Sequence, residues 1–189
     1  MVKIIITISL IILWMAGSWA QEMAVPVEVQ FQLFLKILAF DRNLKARVED
    51  ELVIGLVYQG KFRTSLNARS EALKALGKSE INKLEGIRIR PVSIDLEESN
   101  LDSTVFKEGV DVLYISPLRA VVIKKITDLS RAKKITTLTG VPEYVESGLA
   151  VGIGTKGEKP LIIINLPAAN KEGADFSSKL LKLAKVIEK

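Results

Sequence analysis

Alternating strand and helix patterns predict an α/β fold: a Rossmann-like three-layer α/β/α sandwich on a mostly parallel sheet, with an antiparallel C-terminal hairpin. Three observations carry this expectation. Residues 52–58 (LVIGLVY) and 110–115 (VDVLYI) are short, nearly continuous apolar runs, as expected of strands covered on both faces. Segments with helical apolar spacing separate such runs, which is the signature of strand–helix–strand units. Residues 149–153 and 161–165 flank a stretch containing Gly154, Gly157 and Pro160 and read as a hairpin.

The chain opens with Met1-Val2-Lys3, an apolar run to Met15 broken by Thr7 and Ser9, and the small-residue ending Ala16-Gly17-Ser18-Trp19-Ala20. This layout predicts a secretory signal peptide over residues 1–20, cleaved after Ala20. The run is shorter than the roughly 20 apolar residues of a comfortable membrane span; an uncleaved N-terminal anchor is the alternative. Either reading places the rest of the chain, residues 21–189, outside the cytoplasm as a single domain.

Pro26 opens a predicted helix over residues 27–44, with Val27, Phe31, Phe34, Leu35 and Leu38 on one stripe and Leu33, Ile37, Phe40 and Leu44 beside it. So wide an apolar circumference implies deep packing or a subunit interface. A helix over 64–76 closed by Gly77 follows the first apolar strand. Residues 87–94 (IRIRPVSI) alternate as a strand, and Pro91 assigns it an edge position or a bulge. A helix over 118–132, a strand over 135–138 and a helical turn over 142–146 precede the hairpin. The chain closes with a short helical piece over 167–171 and an amphipathic helix over 175–187. Asp175 is the expected N-cap of that helix, and Phe176, Leu180, Leu183, Ala184 and Ile187 form its apolar stripe. The two apolar helices, 27–44 and 175–187, are the expected faces of a possible homodimer.

Composition excludes several chemistries. The 189 residues contain no cysteine and no histidine. Disulfides, thiol nucleophiles and lipid attachment through an N-terminal cysteine are therefore absent. So are Ser-His-Asp catalysis and His-based metal sites. No catalytic residue, metal or cofactor is expected. The net charge of +5 is spread along the chain, with lysines and arginines at Lys124, Lys125, Arg131, Lys133 and Lys134. For an exported chain these imply solvated helix faces or loose affinity for an acidic surface, and not nucleic acid binding.

Residues 152–157 spell G-I-G-T-K-G, a literal G-x-G-x-x-G. A dinucleotide site needs a helix after those glycines, whereas Leu161-Ile162-Ile163-Ile164 is a strand. Gly154 and Gly157 are instead expected to be turn residues with positive φ. The better candidate lies at the carboxyl ends of the parallel strands, where open α/β sheets bind ligands. Tyr58, Gln59, Lys61, Arg63, Ser116 and Arg119 are the candidate ligand- or partner-binding residues there. Helix-start N–H groups beside two cations can hold a carboxylate or phosphate, although turn and capping chemistry explains the same residues. Glu97 and Glu98 fall in a loop without the desolvation that acid–base work requires.

The last third of the chain carries a specific pattern: Ile164-Asn165 at a strand end, Ala168-Ala169, Gly173, then Ser177-Ser178-Lys179-Leu180-Leu181-Lys182-Leu183-Ala184. It resembles the closing signature of the YfiR-like family, domain of unknown function 4154. The phenylalanine-rich first helix, LVIGLVYQG, the VLYIS strand and the hairpin led by Gly148 follow in the same order, each a weaker match. The resemblance implies a periplasmic Rossmann-like protein without known catalysis. It would bind the extracytoplasmic domain of an inner-membrane signalling protein, of the diguanylate cyclase type. By holding the cyclase inactive it would lower cyclic-di-GMP, exopolysaccharide and biofilm output. Relatives often carry Trp-Pro where this chain has Phe40-Asp41, and a cysteine where it has Val110-Asp111, so disulfide-linked redox sensing is excluded here. Within the motif, Asn165, Ser177 and Ser178 are expected to bind local backbone, and Ala168, Ala169, Gly173, Leu180 and Leu181 to specify the fold. The alternative function is a small-molecule binding protein using the crevice near Tyr58, Lys61 and Arg63. A hydrolase built on carboxylates ranks third.

Overall fold

The computed structural model of the protein describes residues 23–188, apart from residues 49, 79–82 and 120–122. The expected signal segment and its cleavage site lie outside the described residues. Helix α1 (Val27–Ala39) and a short α2 (Leu44–Arg47) lead into β1 (Glu51–Tyr58) and α3 (Arg63–Leu76). Strands β2 (Lys83–Leu84) and β3 (Ile87–Asp95) follow, then α4 (Leu101–Glu108), β4 (Val112–Ile115), α5 (Ile123–Lys133) and β5 (Thr136–Thr139). The chain ends with α6 (Pro142–Glu146), the hairpin β6 (Val151–Lys156) and β7 (Lys159–Asn165), α7 (Leu166–Lys171), α8 (Ser178–Leu181) and β8 (Lys185–Ile187).

These strands form one mixed sheet in the order β2-β3-β1-β4-β5-β6-β7-β8. The run from β3 to β6 is parallel, β2 and β7 pair antiparallel with β3 and β6, and β8 lies parallel to β7. Strand alternation divides the core in two, as the α/β/α expectation requires. Leu52, Ile54, Leu56, Val112 and Tyr114 face a cluster with Phe31, Phe34, Ala68 and Ala72 from α1 and α3. Val53, Val57, Leu113 and Ile115 face the opposite cluster, with Val105 of α4 and Ile126 of α5. The apolar runs at β1 and β4 have no polar face because neither side of the sheet meets water.

Tyr114 anchors the first cluster. Its ring lies 4.9 Å from that of Phe31 and 6.0 Å from that of Phe34, centroid to centroid. Its hydroxyl donates to Oε1 of the fully buried Gln30 at 3.3 Å, and Gln30 Nε2 donates to the Val25 carbonyl at 2.6 Å. Burial, with a smaller push from the Glu71 carboxylate, holds the Tyr114 phenol above its ordinary pKa.

Pro91 sits on the edge side of the sheet, since among the described residues β2 covers Ile87 and Arg88 of β3 and not Pro91. Its missing N–H therefore costs no ladder bond. The first helix ends at Ala39, five residues before the expected boundary. Asp41 stops it: the carboxylate accepts from Asn43 N at 3.0 Å and Asp175 N at 2.9 Å, competing with helical bonding. Leu118 and Arg119 are loop residues, outside the α5 helix described at Ile123–Lys133. Gly157 has φ +62° at the hairpin turn, but Gly154 pairs with Leu161 inside the strand and lacks the expected positive φ.

The largest departure is the C-terminus. Residues 175–187 do not form one amphipathic helix: α8 covers Ser178–Leu181, and Lys185–Ile187 form β8 against Ile163–Asn165. Asp175 is not a cap; Ser177 is, its Oγ accepting from Leu180 N at 3.4 Å. Leu183, expected on the apolar stripe, is 68% exposed. The β-branched Val186 and Ile187 satisfy the outer edge of β7, a gain that a continued helix would forgo. Both faces expected to dimerise are thereby changed. Phe34 is completely buried within its own chain, so α1 spends its apolar surface on the core, and the second face is not a helix.

Candidate functional site

Strand β1 is the topological switch point, with β3 on one side and β4 on the other, which places the expected site at the carboxyl ends of β1 and β4. Its polar groups are turned inward on one another. Gln59 Nε2 donates to the Arg119 carbonyl at 3.1 Å, and Arg119 N donates to Gln59 Oε1 at 2.7 Å. One side chain thus closes the gap between the two strand ends. Two N–H groups of the turn ahead of α3 are also engaged: Gly60 N donates to Asp95 Oδ1 at 3.1 Å and Lys61 N to Glu97 Oε2 at 2.7 Å, while the first turn of α3 itself has no side-chain cap. A Cβ on Gly60 would meet Asp95 Oδ2, so any other residue there would have to push this carboxylate aside.

The remaining candidates separate by exposure. Tyr58 is buried, with the Arg69 guanidinium 4.7 Å from its ring centroid and Arg69 NH2 donating to its hydroxyl at 3.3 Å. Ser116 is fully buried, its Oγ without a hydrogen-bond partner among the described residues. Lys61, Arg63 and Arg119 are exposed, and the Arg119 guanidinium stacks 4.2 Å from the Phe62 ring centroid. The rim therefore presents cations outward over a floor already bonded to itself. The pairing of Asp95 and Glu97 with the Gly60-Lys61 turn escaped the sequence reading. A lone acidic residue ending an alternating strand, opposite a glycine turn, was its signal.

The opposite rim, at the amino ends of the strands, is open. A groove of about 530 Å³ runs there, lined by Arg47, Asp50, Phe106, Asp111, Lys133 and Ile135 among others. The Phe106 ring is 78% exposed, with Lys133 Nζ 5.7 Å from its centroid. Along its border Glu51 pairs with Arg90 at 2.8 Å and Arg88 at 3.0 Å. Slight burial opposes ionisation of Glu51, but the two guanidiniums hold its pKa below the usual value.

Two buried carboxylates lie beneath this rim. Asp41 is paired with Arg47 at 2.6 Å. Glu172, with no exposed surface, has only neutral donors: Ser130 Oγ at 2.9 Å from Oε1, Thr137 N at 2.7 Å from Oε2, and Thr137 Oγ1 at 2.9 Å. Burial pushes the Glu172 carboxyl up to about 7, against the opposing pull of Thr137, Ser130 and the Arg131 charge. Arg47 bridges the two acids, because its NH1 also donates to the Glu172 carbonyl at 3.0 Å.

The C-terminal motif residues make local bonds. Asn165 Oδ1 accepts from Ala168 N at 3.0 Å and its Nδ2 donates to the Val145 carbonyl at 3.0 Å. Ala168, Ala169 and Leu180 are buried, Leu181 packs partly buried against the same cluster, and Ser178 is the first residue of α8. Gly173 has φ +86°, a left-handed turn out of α7. Among the described residues no cluster of acidic side chains could hold a metal, and no helix is long and apolar enough to cross a membrane.

A family model described as YfiR/HmsC-like, DUF4154, matches residues 28–185. No curated protein matches the chain significantly in sequence. Among solved structures, the fold is similar to an ABC domain in complex with L-Trp from Streptococcus pneumonia. The TM-score is 0.58 at 14% identity, covering 86% of this chain and 62% of that one. It is also similar to a conserved domain protein from Vibrio cholerae O1 biovar El Tor (TM-score 0.59, 17% identity, 86% and 60% coverage). A ligand-free, open substrate-binding protein with adhesive properties from Clostridium difficile matches with TM-score 0.53 at 15% identity, over 77% of this chain and 57% of that one. At these identities the likeness is one of fold, and the chain spans about three-fifths of the length of each.

Proposed function

The chain belongs to the YfiR/HmsC-like family, and from that premise we propose that it is an exported, non-enzymatic regulator of a membrane signalling protein. It binds the extracytoplasmic domain of an inner-membrane diguanylate cyclase or a related receptor, and so modulates cyclic-di-GMP and biofilm output. The observation carrying this reading is the family match over residues 28–185, a family of periplasmic regulators and not of enzymes. The absence of histidine and cysteine from the sequence supports a protein that works through its surface.

The contact surface we assign is the amino-end groove around Phe106. An aromatic ring this exposed beside a groove is the kind of anchor that interfaces bury. Acidic Asp50 and Asp111 and basic Lys133 in the same lining suit an apolar receptor segment flanked by charges of both signs. The small-molecule reading at Tyr58, Lys61 and Arg63 has less support, because Asp95 and Glu97 place negative charge on the turn N–H groups of Gly60 and Lys61, beside the helix start that would hold an anion.

Crosslinking on membranes that contain a diguanylate cyclase tests the proposal. The wild-type protein should capture the cyclase, Phe106→Asp should capture at least tenfold less, and deletion of the gene should raise cyclic-di-GMP. Failure to recover the cyclase together with unchanged cyclic-di-GMP overturns the reading. A thermal-shift response to a small molecule that vanishes in Lys61→Ala/Arg63→Ala would favour the alternative.

A further inference from the structure

The groove wall is built over an acid that has two complete sets of hydrogen bonds, one for each protonation state. Ser130, near the end of α5, is within reach of two acceptors: Glu172 Oε1 at 2.9 Å and the Thr127 carbonyl at 3.0 Å. A serine hydroxyl has one proton and two lone pairs, so it can serve only one acceptor at a time. When Glu172 is ionised, Ser130 donates to the carboxylate, and Thr137 N and Oγ1 supply the other donors. When Glu172 is protonated, its new O–H donates to Ser130 Oγ, whose own proton then turns to the Thr127 carbonyl. Thr137 Oγ1 is held in place either way, since it accepts from Ala150 N at 2.8 Å. Neither state leaves a buried polar atom of this cluster unpaired, which is the condition for a buried acid to exchange its proton without unfolding.

We infer that Glu172 and Ser130 form a proton-operated switch beneath the groove wall, with the Ser130 hydroxyl swapping between the carboxylate and the Thr127 carbonyl. No charged side chain hydrogen-bonds the Glu172 carboxylate among the described residues, and the Arg131 charge, which favours the ionised form, is outweighed by burial. Arg131 NH2 donates to the Gly148 carbonyl at 3.2 Å. Arg47 binds Asp41 and the carbonyls of Glu172 and Lys134. Lys134 Nζ donates to the Lys171 carbonyl, and Asp175 pairs with Arg42. The carboxyl's upward displacement to about 7 sets the exchange near neutrality.

The switch reaches the groove through the backbone. Lys133 and Ile135, which line it, lie between Ser130 and Thr137, the two residues that hold the carboxylate. Arg47, also in the lining, is bonded to the carbonyl of Glu172 itself. Protonation therefore reverses the bond between Ser130 and Glu172 and redirects the Ser130 proton within the last turn of α5, next to the stretch that carries Lys133.

The experiment uses the purified protein without any partner, so it stands apart from the docking proposal. A carbon-detected NMR titration should show the Glu172 carboxyl changing state between pH 6 and pH 8, on the order of the displacement expected for a desolvated acid, with the Lys133 and Ile135 amides following the same midpoint. In Glu172→Gln those amides should stay at their acidic positions across the range. That variant should also unfold at a higher denaturant concentration than wild type at pH 8, with the gap closing toward pH 5. A carboxyl that titrates below pH 5, or amides that ignore its midpoint, overturns the switch. Equal destabilisation of Glu172→Gln at both pH values does so too, as it marks a merely structural carboxylate. If the variant does not fold, the wild-type titration decides alone.

Discussion

The two rims of the sheet solve the problem of exposed strand ends in opposite ways. At the carboxyl rim, acids meet backbone N–H groups: Asp95 and Glu97 bind the Gly60-Lys61 turn ahead of α3, and Gln59 ties β1 to the loop after β4. The result is a sealed surface with cations pointing outward. At the amino rim the acids are drawn under the surface, Asp41 onto Arg47 and Glu172 onto hydroxyls, and a groove stays open above them. Topology alone favours the carboxyl rim as the binding crevice. Here the side chains that fill it reverse that preference, because a backbone donor already engaged by an internal carboxylate is not available to a ligand.

Breaking the buried pair at the amino rim should have the largest effect. Arg47→Met leaves the Asp41 carboxylate desolvated and uncompensated and should cost about 3–5 kcal/mol in chemical denaturation. Adding Asp41→Asn to that variant should recover much of the loss; failure to recover would mean that Arg47 acts mainly through its backbone contacts.

The pH dependence should come next. The folded-state pKa of Glu172 lies above its ordinary value of 4.5, so the folded protein holds this proton more tightly than the unfolded chain. Its contribution is fully present below about pH 4.5 and is lost as pH rises toward about 7. The loss is about 3 kcal/mol by the free energy of one pKa unit, read as the wild-type stability change that Glu172→Gln abolishes.

At the carboxyl rim the expected costs are smaller. Gly60→Ala forces Asp95 aside and should lose about 1–3 kcal/mol. Asp95→Ala should lose about 2 kcal/mol, by leaving the Gly60 and Glu97 N–H groups without their acceptor. It should also let sulfate raise the melting temperature where the wild type shows no response. A wild-type response to sulfate would show that the rim is not sealed. Smallest of all, Phe106→Ser should change stability by no more than about 0.5 kcal/mol, while abolishing capture of the receptor. A large stability loss there would place Phe106 in the fold and not in the interface.

Much of this architecture was legible along the chain. The apolar runs at β1 and β4, the Pro91 edge, the hairpin and the short α6 and α7 all follow from local pattern, because two-sided burial and turn chemistry leave marks on neighbouring residues. The C-terminus was misread for a physical reason. Phe176, Leu180 and Ala184 keep helical spacing, yet the pairing of Lys185–Ile187 with β7 outweighed it. Of the rim candidates, the sequence could name Tyr58, Gln59, Lys61, Arg63, Ser116 and Arg119, but not which of them would be buried or turned inward. Glu172 carried no local signal, since Ser130 and Thr137 lie far away in sequence, and the burial of Asp41 depends on the distant segment at Asp175.

By itself the sequence determined the alternation of strands and helices, the two-faced burial of the central strands and the exclusion of thiol and imidazole chemistry. Each depends on composition or on spacing within about a dozen residues. Tertiary structure decided which rim is sealed, where the last segment pairs and which acids lose their water. Those outcomes rest on contacts such as Thr137 with Glu172 and Asp41 with Asp175, where hydrogen-bond satisfaction and desolvation are settled only once distant segments meet.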